Sequence, residues 1–219
     1  VCRTGRAWKP LVNGQPETFR LVGMDHFNAM FEDSRTGSWW RQATGECVVG
    51  ELKGQHLEEV PSQQMTIAEF ASQHPKGLVF QPDPNFTEQY AGLEGFDDGT
   101  IGSSLEYRDS ASWQPKSWVV GVVHKGLARA YDWNDLVQRS TLNDTLGGDP
   151  ITLTSTGSSP GFHVSIDLRD TVWTTADSAG ILVGRYQIAG NLRRIPAYQE
   201  FWHSWRTFHP NTTRYELKR

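Results

Sequence analysis

Residues 33–80 read DSRTGSWWRQATGECVVGELKGQHLEEVPSQQMTIAEFASQHPKGLVF, and the chain contains this pattern twice. Asp33, Arg35, Trp39, Val49 and Gly50 recur as Asp167, Arg169, Trp173, Val183 and Gly184, each 134 positions on. After one inserted residue the offset becomes 135, and Leu57, Val60, Pro61, Ile67, Phe70, His74, Pro75 and Phe80 answer to Leu192, Ile195, Pro196, Trp202, Trp205, His209, Pro210 and Tyr215. Identity or chemical class persists through strand, turn and helix alike, which predicts a duplicated unit. The fold class expected is α+β, mainly β: two pseudo-symmetric repeats, each a small curved antiparallel sheet plus one helix, sharing a Trp/Phe-rich core. Residues 1–219 then form a single domain of two repeats, about 1–80 and 117–219, with a long inserted loop region at about 81–116.

Each repeat is expected to deliver short strands and then one amphipathic helix. Thr66 followed by Glu69 is a capping box, in which each side chain satisfies a backbone N–H that the first turn leaves free. Ile67, Phe70, Ala71 and His74 follow on one face, and Pro75 and Gly77 end the helix. Phe201, Trp202, Trp205 and Phe208 make the same stripe in the second copy, closed by His209 and Pro210. Elsewhere Asn13-Gly14 predicts a hairpin within residues 6–21. Residues 24–32 read as a strand or loop leading into a turn. Strands are expected at 38–40, 46–49, 57–60, 117–123, 126–131, 151–154 and 162–167, and a helical turn at 133–138.

Composition narrows the function classes. A 219-residue chain with 37% hydrophobic residues, nine Trp, ten Phe and six Tyr can bury a sizeable core built on aromatic rings, so it folds. A formal net charge of −4 with interspersed signs offers no basic stripe for phosphate backbones, which argues against nucleic-acid binding. Apolar runs are only a few residues long, too short for a transmembrane segment. The start at Val1 and the turn-like VCRTGRAW predict a preceding signal peptide, lipid anchor or further domain.

At VCRTGR, MDHFNAMFED, TGSWWRQATGE, KSWVVGV and ARAYDWNDL the sequence resembles an uncharacterised bacterial family known as domain of unknown function 3179. Its members look exported, many with a signal peptide or lipoprotein start, and their first motif is commonly Tyr-Cys-Pro or Cys-x-x-Cys. The resemblance implies a periplasmic or extracellular protein in which Cys2 is the second cysteine of a pair. It implies no activity.

Several constellations suggest chemistry. Cys2, His26, Met30 and Cys47 offer thiolate, imidazole and thioether ligands of the kind copper selects, the one cofactor the residues suggest. The same residues equally suit a structural disulfide or buried thiols with Met30 as core filler. His74 and His209, each before a proline, are expected as cationic caps at helix ends. Gly157-Ser158-Ser159-Pro160-Gly161 fits the string of a serine hydrolase, but Pro160 and the following strand deny Ser159 the strand-to-helix elbow. Glu94, Asp97, Asp98 and Asp109 lack the spacing of a calcium loop. Trp39, Trp173, Trp202 and Trp205 are expected in the core, leaving Trp40, Trp113 and Trp133 to reach solvent. Glu58-Glu59 is answered by Arg193-Arg194, which predicts complementary edges facing each other between the repeats. The expected function is an exported non-enzymatic binding or structural module with protein partners in a larger cell-envelope or extracellular assembly. Soft-metal binding is the alternative and serine hydrolysis a weaker one.

Overall fold

The computed structural model describes residues 5–81, 83–86, 88, 108–156, 162–167 and 192–217. Among them the chain is mainly β with short helices, arranged as several small antiparallel sheets. Strands β1 (Leu11–Val12) and β2 (Gln15–Pro16) form the expected hairpin, with Asn13 at φ 51° and Gly14 at φ 73° making its two-residue turn. Next come β3 (Phe19–Asp25), β4 (Asn28–Asp33), β5 (Trp39–Arg41) and β6 (Cys47–Val49), an antiparallel meander in chain order. The turn between β3 and β4 holds His26 at φ 48° and Phe27 at φ 70°. Two non-glycine residues in the left-handed region are costly. They are held by tertiary contacts: the His26 ring lies 6.0 Å from Phe208 and the Phe27 ring 5.9 Å from His203. Residues 24–32, read as a single segment leading into a turn, are therefore parts of two strands joined tightly.

Helix α1 (Ile67–Gln73) forms with its capping box complete, the Thr66 hydroxyl accepting from the Glu69 N–H and the Glu69 carboxylate from the Thr66 N–H. It buries none of its residues, and Ile67 is 65% exposed. Residues 57–60 do not form a regular strand. Glu59 makes an isolated bridge to Trp8, and the Lys9 N–H donates to the Glu58 carbonyl.

The second sheet centres on the hairpin of β7 (Trp118–His124) and β8 (Leu127–Asp132). Helix α2 (Trp133–Arg139) follows at once, capped by the Asp132 carboxylate, which accepts from the Asn134 N–H. Strands β9 (Thr141–Leu146), β10 (Asp149–Ser155), β11 (Phe162–Asp167) and β12 (Leu192–Arg194) make a third sheet in the order β12-β11-β10-β9. Strand β13 (Ala197–Phe201) returns antiparallel to β7, helix α3 (Trp202–Phe208) follows, and β14 (Thr213–Arg214) closes the second sheet parallel to β8.

Strand β7 shows why SWVVGVV is apolar without alternation: both of its faces are covered. Val120, Val122 and Tyr131 point into a core completed by Leu142, Leu153 and Val164 of the third sheet and by Trp133 and Leu136 of α2. Val119 and Ala130 face the other way, against Trp202 and Trp205 of α3. Gly121 is required there, because the Trp205 ring occupies the space a Cβ would need.

The two helices that the repeat predicts end alike. Both have seven residues, and their C-caps His74 and His209 have dihedrals of φ −128°, ψ 70° and φ −128°, ψ 69°. The His74 N–H donates to Phe70 O and the His209 N–H to Trp205 O, and the next turn closes by Gly77 N–H to His74 O and Thr212 N–H to His209 O. The repeat residues at 168–184, Trp173 included, lie outside the described residues, as does most of the predicted insertion.

Candidate functional site

Of the predicted soft-metal set, Cys2 lies outside the described residues. The other three are placed by the first sheet. Met30 pairs with Arg41 across β4 and β5, whereas Cys47 pairs with Trp40, which pairs with Phe31. Cross-strand partners share a face and successive residues alternate, so Met30 and Cys47 lie on opposite faces. Cys47 is 0% exposed, its free thiol donates to the Val49 carbonyl, and burial pushes its pKa up, the opposite of what an ionised ligand needs. His26 stands at the hairpin tip with Nδ1 2.5 Å from the Asp25 carboxylate. The sheet does not gather the three.

The inner face of this sheet explains the TGSWW stretch. Asp33 is fully buried and its carboxylate accepts from the Thr36 N–H at 2.6 Å, the Thr36 hydroxyl and the Trp40 indole N–H at 2.9 Å. Burial pushes its pKa up, but these hydrogen bonds more than offset that, so the carboxyl lies below its usual range. Trp40, expected at the surface, is 2% exposed for this reason, and Trp39, expected in the core, is 37% exposed with its N–H on Glu32. Trp133, also expected outside, is 3% exposed between the rings of Trp118 and Phe162. Trp113 is half-buried against Trp202.

The cationic caps are corrected in one case. Burial, reinforced by the Arg6 charge, lowers the His209 pKa to about 4, so this imidazole is neutral at physiological pH and packs on Trp205 with ring centres 3.9 Å apart. The acidic half of the predicted charge pairing finds other partners: Glu58 pairs with Lys9 at 2.5 Å, and Glu59 takes the Tyr198 hydroxyl. Around Tyr198 the N-terminal segment is fastened to β13. Arg6 lies 3.3 Å over the Tyr198 ring and makes a 2.7 Å ion pair with Glu200, both side chains being almost fully buried. Ser159, Glu94, Asp97 and Asp98 lie outside the described residues, while the Asp109 carboxylate accepts from the Ala111 N–H in a local turn.

What sequence reasoning missed is a cleft of about 500 Å³ beside β12. Residues 61–65 and the end of α1 form one wall; His163, Arg194 and residues 195–197 form the other. The third sheet explains the polar wall. Ile151, Leu153, Val164 and Ile166 point into the core, so His163, Ser165 and Arg194, with Ser165 opposite Arg194, lie on the other face. The Arg194 side chain makes no hydrogen bond or ion pair among the described residues, and its Nε is fully covered. Burial lowers the pKa of Arg194, and that of His163 is lowered by burial and then by the Arg194 charge. An arginine stays ionised regardless, so the cleft wall carries a half-covered positive charge with no counter-ion among the described residues. A second groove of about 440 Å³ beside β8 and the end of α3 contains Arg129, but that guanidinium is committed to Asp144 at 2.6 Å and to the Thr213 hydroxyl.

The signal that could have found the cleft was the Arg193-Arg194 pair on a strand whose neighbour alternates apolar and polar residues. A strand of that pattern puts one arginine on the polar face. No curated protein and no solved structure matches the chain. A model of the protein family of unknown function DUF3179 matches residues 1–212, so the chain belongs to that family.

Proposed function

We propose that this protein is an exported, non-enzymatic binding module, a subunit of a larger cell-envelope or extracellular assembly, and that the cleft beside β12 is where it binds. The observation that carries the reading is the cleft's unmatched charge: Arg194 lies in its wall with no acidic side chain among the described residues that line the cavity. A lone cation covered by protein is costly, and a ligand that supplies the missing acceptors removes the cost. What favours binding over chemistry is that the described lining residues present no hydroxyl hydrogen-bonded to a base.

The same reading holds that the chain descends from a duplicated unit, with α1 and α3 as equivalent helices. Their matching C-caps and matching 135-residue spacing support it. Thermal-shift screening of purified protein against small organic acids, sugars and short peptides tests the binding role. A saturable shift is expected with at least one ligand, lost in Ser62→Trp, which fills the cleft from an exposed loop position. Turnover of fluorogenic esters, or one copper per chain after purification without chelator, would overturn the proposal. Cell fractionation is expected to place the full-length protein outside the cytoplasm.

A further inference from the structure

We infer that the cleft beside β12 takes a small organic monoanion, a carboxylate with an apolar body, whose charged end sits on Arg194. The inference rests on the binding role proposed above and names its ligand class. Arginine presents a planar fork of donors that matches a carboxylate in two parallel hydrogen bonds. In four other arginines that fork is already engaged by a carboxylate. Arg6, Arg20, Arg41 and Arg129 each hold a carboxylate at 2.5–3.0 Å, on Glu200, Glu32, Asp25 and Asp144 respectively. Arg194 alone among these five meets none, in a cleft whose described lining residues include no Asp or Glu.

The neighbours select the kind of anion. His163, two residues from the Arg194 partner Ser165 and on the same face, is held towards its neutral form by burial and by the Arg194 charge. It can then donate one N–H to an acceptor without adding charge. With Arg194 the single formal cation among the described lining residues, the electrostatic match is to one negative charge rather than to a phosphate dianion. Phe70, Phe162 and Met65 supply the apolar surface for the ligand's body, and Gln63, Gln64 and Gln73 can bond any polar substituents along it. A volume of about 500 Å³ lies within the range of small-molecule sites.

Calorimetric titration of the intact protein with benzoate and hexanoate tests this, with benzamide as neutral isostere and inorganic phosphate as the competing oxyanion. The carboxylates should bind saturably and more tightly than benzamide or phosphate. Arg194→Gln should weaken them at least about tenfold, as expected when a charge-assisted bidentate contact is lost, and Arg194→Lys should retain part of the affinity. If Arg194→Gln does not fold, the side-chain Nε–H resonance of Arg194 in the unaltered protein should shift with benzoate and stay put with benzamide. Equal binding of benzamide, tighter binding of phosphate, unchanged affinity in Arg194→Gln, or an unmoved resonance would each overturn the carboxylate assignment. So would a screen in which only uncharged ligands bind and Ser62→Trp blocks them, an outcome that leaves the cleft a binding site. Failure of the wider reading looks different: no ligand of any class responds to Ser62→Trp.

Discussion

Helices α1 and α3 have the same length and the same C-terminal turn, yet they are stabilised by different means. Helix α1 carries a complete capping box and buries nothing. Helix α3 has no side-chain cap at Phe201, but Trp202 and Trp205 are 5% and 0% exposed against β7 and β8. A seven-residue helix is too short to persist on propensity alone. One therefore leans on local hydrogen bonds at its start and the other on burial along its side. Similar local patterns do not fix how much energy a segment draws from its surroundings.

Substitutions can sharpen that contrast. Trp205→Ala removes a fully buried indole that packs on Gly121 and donates to the Thr212 hydroxyl at 2.7 Å, and should cost about 3–5 kcal/mol by chemical denaturation. Ile67→Ala on the exposed face of α1 should change stability by less than about 0.5 kcal/mol. A similar loss for both would break the distinction between the helices.

The next largest effect is pH-dependent and specific to α3. Above about pH 6.5 His209 is neutral in the folded and unfolded chains alike and adds no pH dependence. Below that, the unfolded chain takes up a proton that the folded one refuses until about pH 4, so stability falls across this window by about 3 kcal/mol in all. Thermal midpoints measured from pH 7 to 4 should drop less steeply in His209→Gln than in the unaltered protein. Parallel curves would show that His209 titrates normally.

A smaller effect belongs to the cap of α1. Thr66→Ala removes one half of the capping box and should cost about 1 kcal/mol, confined to this helix and read as faster amide exchange at Phe70 and Ala71 with little change in global stability. A global loss of the same size would mean that α1 is coupled to the cores.

Much of the fold could be read from local chemistry. The Asn13-Gly14 hairpin, the Thr66 capping box, the apolar run of β7 and strand β11 at its predicted bounds each depend on neighbours in sequence, and each forms. The hairpin at His26-Phe27 was not legible, because its positive φ angles are stabilised by Phe208 and His203, about 180 positions away. Trp39 and Trp40 were assigned to the wrong sides because adjacent strand residues face opposite ways, and it is Asp33 and Cys47 that fix which way. The cleft was hidden for a related reason. Nothing near Arg194 in sequence says that its guanidinium lacks a partner; that follows only from what strand β12 and the cleft bring around it.

Strand β7 belongs to two cores at once, with Val120 and Val122 answering to the third sheet while Val119 and Gly121 answer to the indoles of α3. Any change along this strand must suit two independent surfaces, so the substitutions it tolerates are the overlap of two restricted sets. Evolutionary drift would therefore be slowest here, and new binding properties would arise far more readily at the cleft rim, in residues 61–65, where the chain answers to solvent on one side.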